Sequence, residues 1–293
     1  MNHATELAEI IGRHLTYDSL EPCPIPRVTL IRSSNITDSM PVIYEPALCL
    51  VAQGRKRVVL GEKDYIYDAS QYLVVSVDLP MLGSILDASE VRPFLCISLD
   101  LDLKVMSELL LEHGGSVPAI EAKPGLALSA VTPALLDAAV RLLRLLDTPD
   151  DIPALAPLAE REILYRLLAN DQSGMVRHIA NAQSRLSQIS RAIVWIKANF
   201  AQSFTIERVA DEAGMSPSSL HQHFKDVTTY SPLQYRTRLR VQEARRIMVA
   251  DAVDAASAGF TVGYESPSQF SRDYVKVFGS PPMQDAQRLR AMV

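Results

Sequence analysis

The sequence predicts an α+β protein: a small β-barrel with a helical extension, followed by an all-α part. Three observations carry this reading. Short runs rich in Val, Ile, Leu and Tyr recur between residues 47 and 101, separated by turn residues. After about Leu103 the apolar residues recur at helical spacing. The C-terminal third holds one helix-turn-helix pattern twice. At 293 residues the chain suits two domains, and 48% hydrophobic against 22% charged residues gives each enough apolar material for a core.

In the β-rich part, Val58-Val59-Leu60 and Tyr65-Ile66-Tyr67 flank Gly61-Glu62-Lys63 and read as a hairpin. Asp68-Ala69-Ser70 signals the next turn, and strands are expected over 72–77, 82–86 and 94–101. Several short strands at regular spacing point to a barrel or sandwich. A helix over 103–113 follows, ended by Gly114-Gly115. Thr132 and Pro133 open a second, carrying Leu135, Leu136, Ala139, Val140, Leu142, Leu143 and Leu146. A third is expected over 157–170, with Leu158, Ile163, Leu164, Leu167 and Leu168. These two leucine-rich helices carry more apolar surface than one narrow stripe requires, which fits either burial in the domain or a dimer seam. A small, polar stretch near 179–184 sets the boundary between domains 1–183 and 184–293, and an amphipathic helix over 185–199 opens the second.

The repeated pattern spans about 205–228 and 254–278. In the first copy Thr205 caps a helix with Ile206, Val209, Ala210 and Ala213 on one face. Gly214 permits the left-handed turn, and Ser216-Pro217 starts a second helix with Leu220 and Phe224 inward. A small residue at Ala210 lets the two helices cross closely. The second copy has Gly259 for Ala210, Gly263 for Gly214, Ser266-Pro267 for Ser216-Pro217, Phe270 for Leu220 and Tyr274 for Phe224. Between them, residues 233–248 form a linker helix. Its arginines, Arg236, Arg238, Arg240, Arg245 and Arg246, are expected to divide between phosphate contacts and ion pairs with Glu243 or Asp251.

Composition excludes other classes. Net charge is −5 overall, but residues 1–185 hold sixteen Lys and Arg against twenty-four Asp and Glu, while the remainder holds thirteen against ten. An acidic module is thus joined to a mildly basic one. No apolar run could span a bilayer and the N-terminus lacks a secretory pattern, so a cytoplasmic protein without membrane attachment is expected. Cys23, Cys49 and Cys96 form no close pair and read as reduced, mostly buried thiols, and the apolar neighbours of Cys49 and Cys96 favour buried structural thiols over redox sensors. Between Leu15 and Glu112 there is no histidine, which removes the usual ligands of a barrel metalloenzyme. His221 and His223, two apart on a helix, point in different directions and make no metal pair. No phosphate loop or nucleophile elbow is present, so neither an enzyme nor a cofactor or metal site is expected.

With both copies in hand, the sequence resembles the AraC/XylS family of transcriptional regulators. The last 105 or so residues resemble its two-unit DNA-binding domain. The strings "YEPALCLVAQGRKRVVLG" and "YLVVSVDLP" resemble the cupin-like N-terminal domain of one branch. The resemblance implies a cupin-like β-barrel that senses an effector and dimerises, then two helix-turn-helix units acting on double-stranded DNA, with RNA polymerase as a partner if the protein is an activator. Control by abundance or by a protein partner is the alternative to a small-molecule effector. Family members often carry an arginine early in the first recognition helix. Here Gln222 stands between two histidines, and glutamine suits adenine where arginine suits guanine.

The expected DNA contacts are Ser216, Ser218, Ser219, His221, Gln222 and Lys225 in the first copy, Arg238 in the linker helix, and Ser266, Ser268, Gln269 and Arg272 in the second. The effector is expected in a metal-free, largely apolar cavity of the β-structured part. The polar groups available there are Gln53, Arg55, Tyr65, Tyr67, Tyr72 and Ser76, with Gln53, Arg55, Tyr65 and Tyr72 as the binding candidates. Strand alternation lets about half of them face inward.

Overall fold

Leu7, Ile10 and Ile11 recur at the spacing of one helix face and are buried along α1 (His3–His14) in the computed structural model, which describes residues 3–113, 125–170, 174–181 and 184–290. Nine strands follow: β1 (Ser19–Pro22), β2 (Val28–Ser33), β3 (Met40–Tyr44), β4 (Ala47–Gln53), β5 (Arg55–Leu60), β6 (Lys63–Asp68), β7 (Gln71–Val75), β8 (Leu79–Asp87) and β9 (Phe94–Asp100). The hairpin at Gly61 forms as its sequence dictates, with Leu60 opposite Lys63 and Lys56 opposite Tyr67. Then come α2 (Leu103–His113), β10 (Leu126–Ala130), α3 (Pro133–Arg144), α4 (Ile152–Ala169) and α5 (Met175–Ala180). Gly114 and Gly115, expected to end α2, lie outside the described residues.

The strands form two sheets in place of the expected closed barrel, ordered β1-β2-β9-β4-β7-β10 and β3-β8-β5-β6. The physical reason is burial on both faces of the central strands. Leu48 and Leu50 of β4, Tyr72 and Val74 of β7, and Leu95, Ile97 and Leu99 of β9 join one core with α1 to α5. The alternate residues Cys49, Val51, Leu73, Val75 and Cys96 are equally buried, on the opposite face. That face meets the second sheet, where β6 packs against β4 and β7. A barrel wall exposes its outer face; the central strands β4 and β7 have almost none to expose.

Thr132 caps α3 by accepting from the Leu135 backbone N–H at 3.2 Å, and Pro133 takes the first helical position, where no amide is needed. The next helix begins at Ile152, not at Pro157. Proline reads as a start, but its fixed φ is compatible with a helix, and burial of Ile152 and Ala156 offsets the hydrogen bond it lacks. Glu160 of α4 is buried and takes a two-pronged guanidinium contact from Arg27, a residue with a left-handed backbone at φ 63°.

The second part is helical: α6 (Arg185–Asn199), α7 (Ile206–Ala213), α8 (Pro217–Thr228), α9 (Pro232–Ala250), α10 (Ala255–Thr261), α11 (Pro267–Phe278) and α12 (Pro282–Arg290). The chain divides into two compact units, one of Met1–Met40 with Tyr44–Ser187 and one of Gln188–Val293 with Pro41–Ile43. The division along the main chain therefore falls inside α6.

Two glycines of the second unit differ instructively. Gly263 has φ +91°, and a Cβ there would meet the Ala201 carbonyl oxygen at 1.8 Å; Gly279 has φ +75° with open space around it. Gly279→Ala should cost the left-handed penalty alone, about 1–2 kcal/mol. Gly263→Ala adds a backbone collision and should lower the melting temperature of the full chain well beyond that. Equal losses in thermal unfolding would show that the Gly263 turn can move aside.

Candidate nucleic-acid interface

In the first helix-turn-helix, Thr205 caps α7 by accepting from the Arg208 N–H at 3.3 Å. The turn follows at once. Gly214 is left-handed at φ 65°, and the Met215 N–H donates back to the Ala210 carbonyl at 2.9 Å. Its exposed carbonyls are closed from α6, where Arg191 donates to Ala213 O at 3.1 Å and Gln188 to Gly214 O at 3.0 Å. Ser216 caps α8 through the Ser219 N–H at 3.3 Å.

Leu220 and Phe224 are fully buried, which rotates the rest of α8 outward. Ser218, His221, Gln222 and Lys225 form one exposed stripe at i, i+3, i+4 and i+7. Among the described residues, no side-chain hydrogen bond or ion pair engages His221, Gln222 or Lys225. Ser216 is exposed beside Ser218, with their hydroxyls 3.4 Å apart, and Ser219 is half-buried against the cap.

The second copy is built on the same frame with different details. Asp254 caps α10 through the Ala256 and Ser257 amides at 2.9 and 3.0 Å. Phe270 and Tyr274 are buried, and a Cβ on Gly259 would sit 3.0 Å from the Phe270 ring, so a larger residue fits only if the ring gives by a few tenths of an ångström. Ser266 holds the extended backbone of a cap, but its hydroxyl makes no capping bond. Ser268, Gln269 and Arg272 are exposed together on α11, with Lys276 one turn further. Arg272 has no ion pair among the described residues.

The joining helix α9 starts with a capping box, Ser231 with Gln234, and runs for 19 residues, about 28 Å. Its arginines are more committed than their spacing suggests. Arg240 is buried and donates to the carbonyls of Phe200, Ala201 and Gln202, which follow the end of α6. Arg236 lies 4.7 Å over the Phe204 ring and Arg238 4.2 Å over Tyr230. Arg246 makes the expected pair with Glu243, at 2.7 Å, whereas Arg245 pairs with Asp285 and not with Asp251. Arg238 stacks through its face, which leaves the N–H groups at its edge able to reach a phosphate.

Asp285 is a hub that the sequence did not disclose. It is buried and accepts from Arg245 at 2.8 and 3.2 Å, from Arg288 at 2.9 Å and from the Tyr274 hydroxyl at 2.8 Å. Burial pushes its carboxyl up, and the bonds from Arg288, Arg245 and Tyr274 outweigh burial and hold it below the ordinary 3.8. This network binds α9, α11 and α12 into one body.

The effector candidates of the first unit do not converge. Gln53 donates to Pro93 O at 2.7 Å and borders an open groove of about 390 Å³ beside α1. Arg55 is exposed, Tyr72 is buried in the core under the helices, and Ser76 donates to Gly125 O at 2.6 Å. Only Tyr65 and Tyr67 alternate onto the inner face of the second sheet, with Tyr67 buried and Tyr65 half-buried. There they meet Lys56, which sequence reading passed over because one lysine in Arg55-Lys56-Arg57 carries no burial signal. The register alone turns Lys56 inward, opposite Tyr67, with its ammonium 5.1 Å from the Tyr44 ring centroid. The Tyr67 hydroxyl is buried without a hydrogen-bond partner, a state that costs about 1–3 kcal/mol. No group of three or more histidine, cysteine or acidic residues able to hold a metal occurs among the described residues.

Comparison with known proteins places both units. The family described as the AraC-type transcriptional regulator N-terminus matches residues 24–175, and a helix-turn-helix domain family matches residues 209–288. The HTH-type transcriptional activator RhaS of Escherichia fergusonii is 28% identical over 135 residues, 45% of this chain and 48% of that protein. RhaS of Escherichia coli O1:K1 is 27% identical over 45% of this chain and 46% of its own. The chain spans about half the length of the curated relatives it matches. Among solved structures, ToxT of Vibrio cholerae with bound unsaturated fatty acid matches with a TM-score of 0.58 at 13% identity, over 89% of this chain and 93% of that one. ToxT bound to (E)-4-(8-methylnaphthalen-1-yl)but-3-enoic acid matches at 0.59 and 11% identity, over 89% and 98%. At such identity these likenesses speak for the fold.

A depressed carboxyl lends stability above its unfolded value and withdraws it as pH falls through the folded one. The Asp285 contribution is therefore present at neutral pH and is lost below about pH 4. Asp285→Asn should cost on the order of 3 kcal/mol at pH 7, because Arg245 is left without its counter-charge, and should flatten the acid limb of the thermal-unfolding profile. An unchanged acid limb would show that other carboxylates govern it.

Proposed function

Because the chain belongs to the family of AraC-type transcriptional regulators, we propose that it binds promoter DNA as a homodimer through α8 and α11 and answers to a small molecule held in its first unit. The observation that carries the DNA reading is the pair of outward polar stripes in which His221, Gln222 and Lys225 have no side-chain hydrogen bond or ion pair, and Arg272 no ion pair, among the described residues. Ser218, His221 and Gln222 reach base edges from α8, with glutamine suited to adenine. Ser268, Gln269 and Arg272 do so from α11, with arginine suited to guanine. Ser216, Ser219 and Ser266 lie at the helix N-termini, where backbone amides and hydroxyls suit phosphate. Lys225 and Arg238 add phosphate contacts. Successive major grooves lie about 34 Å apart, and α9 is a strut of comparable size.

The RhaS relatives are named activators, and activation with RNA polymerase as partner is the reading we adopt. No helix of the described residues is long and apolar enough to cross a membrane, and we place the protein's action in the cytoplasm with its DNA. The acidic ligands of ToxT support a small-molecule effector over control by abundance.

For the dimer, burial separates the two leucine-rich helices. Leu135, Leu142 and Leu143 of α3 are wholly consumed by the core of their own unit. On α4, Leu155, Leu158 and Tyr165 remain exposed at spacings of three and seven, the step of a helix seam. We assign the interface to α4.

Three outcomes test this reading. Gln222→Ala should relax base preference at one position of the site by roughly 1–3 kcal/mol, measured as cognate against random DNA affinity. Lys225→Ala should weaken all sequences alike and reduce the salt slope by about one; equal losses on cognate and random DNA for Gln222→Ala would remove that residue from base reading. Leu158→Glu should give a folded monomer in sedimentation, whereas Leu143→Glu should not fold; a Leu158→Glu dimer would take α4 out of the interface.

A further inference from the structure

Between the two sheets of the first unit lies a cluster of polar groups that no part of the DNA-binding reading uses. Lys56 of β5 faces inward, directly opposite Tyr67 of β6. Its ammonium sits over the Tyr44 ring, and Cys49 and Cys96 of the facing sheet are near enough to act electrostatically on both Lys56 and Tyr67. No carboxylate pairs with Lys56 among the described residues, and the Tyr67 hydroxyl has no partner. Burial pushes the Tyr44 and Tyr67 phenols and the Cys49 and Cys96 thiols up, so none of them supplies a full counter-charge, and Tyr44 offers the ammonium a neutral hydrogen-bond partner only. Its neighbours on the outer face do not help it: Arg55 is exposed and Arg57 is paired with Asp64.

A cation without an anion and a hydroxyl without an acceptor, side by side in an apolar interior, describe the complement of one oxyanion. We propose that Lys56 and Tyr67 anchor the carboxylate of a monoanionic effector with an apolar body, a proposal that rests on the effector reading above. Lys56 donates to one carboxylate oxygen and the Tyr67 O–H to the other, and Tyr44 positions the ammonium from its ring face. A single ammonium balances a single negative charge; a phosphate monoester would leave one charge uncompensated in a dry site. Val51, Val58 and Phe94 are buried and share these inner faces by strand alternation, which suits an alkyl or aryl body.

The test uses the full-length chain, with butanoate, octanoate, dodecanoate and cinnamate as probes and octanamide as the neutral control. Without additive, Tyr67→Phe should melt no lower than the parent, since its hydroxyl satisfies no partner, whereas Lys56→Met also gives up the contact with Tyr44. At least one carboxylate should raise the melting temperature of the parent and change its promoter affinity. Octanamide should bind at least about tenfold more weakly than octanoate, and Lys56→Met should lose the carboxylate response while still binding DNA. The proposal is overturned if Tyr67→Phe melts lower without additive, if Lys56→Met responds like the parent, or if no carboxylate acts on the parent. A neutral metabolite that shifts both melting and promoter affinity when the carboxylates do not would leave effector control standing and remove this anchor. Silence from all ligands with DNA binding intact would remove both.

Discussion

A second helix can stand at a steep angle across a first only where the first lets it come close, and at each crossing here one small residue sets that distance. Under Phe270 the residue is Gly259, where even a methyl group would press into the ring at 3.0 Å; in the other copy it is the buried Ala210. With the inward pair on each second helix seated this way, the outward stripe has no freedom left. The exposure of Ser218, Gln222 and Lys225 on one helix, and of Ser268 and Arg272 on the other, is therefore a consequence of the packing on the far side.

The same unit shows why net charge is a poor guide to which cations stay exposed. Its positive excess sits largely on α9, yet Arg240 completes backbone carbonyls, Arg245 serves Asp285, and Arg246 is paired with Glu243. Arg236 is partly desolvated, which lowers its pKa, and lies on a phenyl ring. These cations make a stiff strut out of a helix whose two ends carry separate recognition units. The cations left exposed and without an ion pair among the described residues include Lys225 on α8 and Arg272 and Lys276 on α11.

In the first unit the central sheet is buried on both sides, with helices on one face and a second sheet on the other. Such a sheet has no register freedom, since a slip by one residue would exchange Leu48 for Cys49 along the whole strand. That rigidity holds an ammonium at Lys56 where folding alone would prefer a hydrocarbon. The unpartnered Tyr67 hydroxyl beside it is a second group that costs the fold stability.

Local chemistry made much of this legible in advance. Thr132 before Pro133, Ser216 before Pro217, the hairpin at Gly61 and the tandem spacing of the two helix-turn-helix copies each act over a few residues, so the sequence alone determined those elements and the outward faces that follow from them. It did not determine closure of the strands into sheets or a barrel, because pairing order is a matter of which distant strands meet. Nor could it tell which leucines of α3 and α4 are spent inside, or find Asp285 for Arg245 forty residues away. Lys56 is the sharpest case: between Arg55 and Arg57 it is one cation among three. Only the pairing of β5 with β6, and of both against the central sheet, turns it into an interior charge, because a side chain's burial is decided by the surface that comes to lie across from it.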